Sequence, residues 1–182
     1  MEDVLHKVDP KKLLLLDMGF DLNSQISSLT QNFSTAVYQC LQSGLQQIRK
    51  YNEFILIFPK NTPHPAETIS AFNQFCADHK LKHNVLENID DREVQPGQVY
   101  LVIKDSDLVK VVKDCKKNGY QIGKDVGIIS YNDTPMKEIV GSGITVISTD
   151  FVRMGKDCAN FILNKEYVNE VIPTQLIIRG SL

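Results

Sequence analysis

The chain has 182 residues, enough for one well-buried domain and short for two. Hydrophobic residues make up 42% and charged residues 23%, the balance of an ordinary globular protein. With 20 Lys and Arg against 22 Asp and Glu the net charge is −2, which argues against a domain that grips nucleic acid by its phosphates. No apolar run approaches membrane-spanning length, and Met1-Glu2-Asp3-Val4 lacks the layout of a signal peptide, so the cytoplasm is the expected compartment.

In chain order, Lys12–Asp17 (KLLLLD) reads as a strand buried on both faces. Leu29, Phe33, Val37, Leu41 and Leu45 recur every four residues and predict a helix over Leu29–Ile48. Phe54–Phe58 (FILIF) is a second buried strand, stopped by Pro59. A helix over Ala66–His79 and a short strand at His83–Leu86 follow. Asp90–Gly97 reads as a loop and Val99–Ile103 as a strand. Asp105 can cap a helix that runs to Asn118 and stops at Gly119. Val126–Tyr131 and Thr145–Ser148 are further strands. Thr149 or Asp150 caps a helix through Leu163, with Val152, Gly155, Ala159 and Ile162 facing inward, and Gln175–Arg179 closes the chain as a strand.

Strands alternating with helices, several of the strands wholly apolar, predict an α/β fold with a mainly parallel sheet flanked by helices. Ligands of such sheets sit beyond the carboxyl ends of the strands. Lys104, Asp105, Asn132, Asp133, Asp150 and Phe151 all fall at those ends, and such donors, acceptors and an aromatic face suit a polyol. The same residues also read as helix caps and a turn, and both readings stay open. Cys40, Cys76, Cys115 and Cys158 read as small apolar side chains; the four histidines show no metal spacing; Gly141-Ser142-Gly143 reads as a turn. No metal, cofactor or catalytic residue is expected.

The stretches YQIGKDVGIISYNDTP (Tyr120–Pro135), ITVISTDFVRMGKDCANFIL and IPTQLIIRGSL resemble the C-terminal part of the LacI/GalR family of transcription regulators. The resemblance implies a periplasmic-binding-protein-like (flavodoxin-like) subdomain that senses a small molecule, expected to be a sugar or sugar derivative, and is not an enzyme. Residues 1–10 would end an interdomain crossover, with Glu2–Val8 helical. Residues 11–182 would form the effector-binding and dimerisation subdomain. DNA would be bound only through a domain outside this chain, with a GntR-type winged helix as the suspected partner module, and no membrane is involved.

By position, the resemblance puts Asn132, Asp105, Lys104 and Phe151 at the effector, with Gln31 near another polar contact. It also implies a homodimer through Leu108, Val109, Val112, Cys115, Ile139 and Val140. The sequence departs from the family in Ser130-Tyr131-Asn132-Asp133, which replaces G-F-D-D, and in the stretch Pro63–Phe72, which carries no Arg; Glu67 and Thr68 stand nearest. The alternatives are a small doubly wound enzyme and a transporter's solute-binding protein.

Overall fold

The computed structural model describes residues 7–18, 26–90 and 92–182. Of the helix expected over Glu2–Val8, positions 2–6 lie outside the described residues, and Lys7 and Val8 form a turn and bend. The elements are β1 (Leu14–Asp17), β2 (Ser27–Thr30), α1 (Thr35–Ser43), α2 (Leu45–Ile48), β3 (Glu53–Ile57), α3 (Glu67–Asp78), β4 (His83–Leu86), β5 (Gln98–Val102), α4 (Asp105–Asn118), β6 (Val126–Tyr131), α5 (Pro135–Ile139), β7 (Thr145–Thr149), α6 (Phe151–Asn164), β8 (Asn169–Val171) and β9 (Thr174–Ile177). They fall into two compact units, residues 33–148 with 175–182, and residues 1–32 with 149–174.

The larger unit is built on a six-stranded sheet ordered β4-β3-β5-β6-β7-β9. The neighbours from β4 through β7 pair in parallel, Phe54 opposite Val99 and Val99 opposite Gly127. Successive strand residues point to opposite faces. Phe54 and Leu56 therefore join Val37, Leu41, Phe72 and Phe75 of α1 and α3 on one side. Ile55 and Ile57 join Leu108, Val111 and Cys115 of α4 on the other. A sheet covered on both faces is why these strands are apolar without alternation. Burial pushes the thiols of Cys40 and Cys115 up to about 11 and that of Cys76 to about 12.

The smaller unit has a three-stranded parallel sheet ordered β1-β2-β8. Its core is Leu29, Met154 and Ile172, with Leu14, Cys158 and Val168 packed against them.

Four expectations need correction. Leu29 belongs to β2, not to a helix; the spacing of four carried across Gln31-Asn32 by coincidence, and α1 starts only at Thr35. Lys12 lies in a short 3-10 turn, and β1 is half-buried to exposed rather than buried on both faces. On α6 the inward stripe is Met154, Cys158 and Phe161, while Val152 and Ile162 are exposed. Two apolar stripes run along that helix, and periodicity alone does not choose between them. Asp105 is the first residue of α4, not its cap; Lys104 holds the cap position, and no side chain caps the helix. Asp150 does cap α6, accepting from the Arg153 N–H at 2.8 Å, and Gly119 ends α4 at φ +74°.

Candidate functional site

In the larger unit β3, β5 and β6 run parallel and in register, so the segments that follow them share one edge. β6 delivers Tyr131, Asn132 and Asp133; β5 delivers Lys104 and Asp105; the segment after β3 delivers His64. Asn132 takes a left-handed backbone, φ +59°, and its Oδ1 is buried with no hydrogen-bond partner among the described residues. Asn tolerates this conformation better than other side-chain-bearing residues. Its N–H still donates to Ile147 O at 2.8 Å, so the strand edge is intact.

Beside it lies Lys137 of α5, 3% exposed. Its ammonium donates to Tyr131 O at 3.0 Å, to Asn132 O at 2.8 Å and to Asp105 Oδ1 at 2.8 Å. The Asp105 side chain is 64% exposed, so its carboxylate is held on one side and open on the other. Lys104 reaches back across the same edge and donates to Asn61 O at 2.9 Å.

Asp133 turns away from this group. Arg179 grips both its oxygens, at 2.8 and 2.6 Å, and that guanidinium holds the Asp133 carboxyl below its usual range. The Ser148 hydroxyl accepts from the Asp133 N–H at 3.1 Å. The Asp133 carboxylate is thereby committed to structure.

An aromatic wall completes the rim. The His64 ring meets Phe33, Phe58 and Tyr131 edge-on, with centroids 5.3, 5.9 and 4.3 Å away. His64 Nε2 lies 2.8 Å from Thr68 Oγ1. Thr68 is wholly buried, so its hydroxyl orients the imidazole and has no access for attack on a substrate. Glu67, the first residue of α3, is exposed and enters none of these contacts.

The structure therefore joins Asn132 and Asp105 through Lys137 and sets Lys104 on the same edge. Gln31 and Phe151 belong to the smaller unit. There Gln31 donates from Nε2 to Asp17 Oδ1 and accepts from Thr149 Oγ1 at 2.6 Å, and Thr149 also meets the Thr174 hydroxyl at 2.7 Å. Asp17 pairs with Thr30 in register, so this polar group marks the carboxyl end of the smaller sheet. Phe151 opens α6 and is 42% exposed. Sequence reasoning did not place Lys137, Tyr131, Asp17 or Thr149 at a site: Thr149 was read only as a possible helix cap, Tyr131 only as part of the departure from G-F-D-D, and His64 only for metal spacing.

Of the residues expected at a partner surface, Val109 and Ile139 are exposed, 48% and 71%, and Val112 and Val140 half-buried. Leu108 and Cys115 are spent on the core. Among the described residues no group of three or more His, Cys, Asp or Glu could hold a metal, and no helix is long and apolar enough to cross a membrane.

The periplasmic binding protein-like domain family matches residues 48–182. No curated protein matches the sequence. Among solved structures, the chain is similar to a probable LacI family transcriptional regulator from Corynebacterium glutamicum, with 19% identity and a TM-score of 0.73 over 100% of this chain and 71% of that one. It is similar to a LacI family transcriptional regulator from Enterococcus faecalis V583 with bound ribose, with 17% identity and a TM-score of 0.71 over 92% and 67%. It is also similar to a dimeric Lac repressor with a C-terminal deletion, with 14% identity and a TM-score of 0.69 over 92% and 68%. The chain thus spans roughly two thirds to three quarters of these structures.

Proposed function

Because the chain belongs to the periplasmic binding protein-like domain family, we propose that it is the ligand-sensing part of a transcription regulator and binds a sugar or sugar derivative without transforming it. The observation that carries this reading is the buried, unpartnered Oδ1 of Asn132 at the carboxyl end of β6. A buried acceptor left unpaired costs about 1–3 kcal/mol, and a ligand hydroxyl would satisfy it. Around it stand a half-open carboxylate (Asp105), a lysine (Lys104) and an aromatic wall, the groups that orient hydroxyls and cover a ring face. Gln31 and Phe151, in the smaller unit, are carried as effector contacts by the sequence resemblance alone. Thr68 acts through His64, and Glu67 is kept as a peripheral contact.

The structural neighbours are described as transcription regulators, not enzymes, and one of them carries ribose, which makes D-ribose the first probe. The chain would work as a cytoplasmic homodimer, through Val109, Ile139 and the exposed Met136, and would reach DNA through a separate domain. A GntR-type head for that domain rests on the sequence resemblance alone. Thermal unfolding of the chain with D-ribose, other monosaccharides and sugar phosphates tests the reading. One of these should raise Tm in a saturable way, and N132G should abolish the rise. A panel that leaves Tm unchanged at millimolar concentrations defeats it.

A further inference from the structure

We propose that Lys137 is the positioning residue of this rim: one buried ammonium sets both the backbone of Asn132 and the carboxylate of Asp105. The proposed use of those two groups rests on the sensor reading; the positioning itself does not.

An ammonium has three N–H donors and no acceptor. Those of Lys137 meet three oxygens at 2.8–3.0 Å, two from consecutive carbonyls at the end of β6 and one from the first turn of α4. The two carbonyls flank the point where the chain leaves β6 and Asn132 turns left-handed. Bonding both from one atom fixes that turn. The third bond gives the buried charge an anion and restrains an otherwise exposed carboxylate.

Among the described residues the neighbouring charges leave Lys137 no second anion as close. The Asp133 carboxylate is bound twice by Arg179, and Glu138 lies 3.5 Å from the same guanidinium. Lysine is seldom buried unless paired, and here the pair and the two carbonyls converge on the residues assigned to the ligand. All three of its donors are already taken by these oxygens, so the ammonium has none left for a ligand.

The test uses the full 182-residue chain, isotope-labelled for NMR. In the wild type the Lys137 ammonium should exchange with water far more slowly than those of the exposed Lys116 and Lys117. Equally fast exchange overturns the proposal without any variant. K137M keeps the stem and removes the three donors, and the three-bond amide–Hα coupling of Asn132 should then report departure from φ near +59°.

A double-mutant cycle with N132G, read by urea unfolding, supplies the second measure. Glycine holds the left-handed turn without help, so K137M should lower the folding equilibrium constant about tenfold less in the N132G background. An additive cycle with unchanged Asn132 coupling overturns the proposal. D-ribose melts keep the two readings apart. Should the wild type respond to the sugar and K137M respond equally, positioning fails and the sensor stands. Should no sugar act while the cycle is non-additive, the sensor fails and positioning stands.

Discussion

At the scale of single residues, Asn132 carries two costs in one place. Its backbone sits at positive φ, and its carboxamide oxygen is buried with no donor among the described residues. Residues held this way cluster where a ligand will compensate them. N132G removes both costs, so it should hold or raise stability by about 1 kcal/mol while erasing any sugar response. N132A keeps the backbone strain and should fall about 1 kcal/mol below N132G. Urea midpoints of the two variants check this, and an N132A chain as stable as N132G would mean the turn is not strained. The position of Asn132, Asp105 and Lys104 at the sheet's carboxyl edge was legible in the sequence because polar residues directly after apolar strands stand there. Lys137 was not, because a lysine on a short helix reads as solvated until coordinates show three oxygens around its nitrogen.

At the scale of elements, close approaches fix how the segments nest. Gly123, in the turn between α4 and β6, has φ +86°, and a Cβ there would stand 2.0 Å from Gly180 O in the C-terminal tail. Neither backbone can yield cheaply, so G123A should cost about 3 kcal/mol or more, measured as a fall in the urea midpoint. The exposed side chains of Met136 and Ile139 on α5 and Val109 on α4 make the opposite case, being apolar groups that nothing in the larger unit covers. I139E should shift sedimentation toward the monomer and leave the urea transition of the monomer within about 0.5 kcal/mol. A wild-type chain that sediments as a monomer at high micromolar concentration would remove the dimer. Element types were readable from periodicity for the central strands and for α3 and α4. They were misread where a strand and a helix shared one spacing, at Leu29, and where a helix carried two apolar stripes, at α6.

At the scale of the whole molecule, the parallel sheet was legible because strands buried on both faces leave wholly apolar runs, as in FILIF and VYLVI. The partition was not, because the chain passes to the smaller unit for residues 149–174 and returns for 175–182, and periodicity reports elements rather than the company they keep. That return has a chemical anchor. Ser181 Oγ accepts from the Thr145 N–H at 2.7 Å and donates to Ile128 O at 2.6 Å, while Arg179 grips Asp133 across 46 positions of sequence. The last pair makes stability depend on pH with a definite sign. Asp133 has its folded pKa lowered below the ordinary 3.8, so the folded state favours the carboxylate more than the unfolded chain does. Its contribution is fully present above 3.8 and is lost as pH falls through the folded value. D133N should therefore cost about 1–3 kcal/mol at pH 7, the worth of hydrogen bonds to a charged group less what an amide recovers. The gap between wild type and D133N should then stay open down to pH 3.8 and close as urea melts are repeated further below that value. A gap that stays constant over that range would show that the return of the chain is held by Ser181 and packing alone.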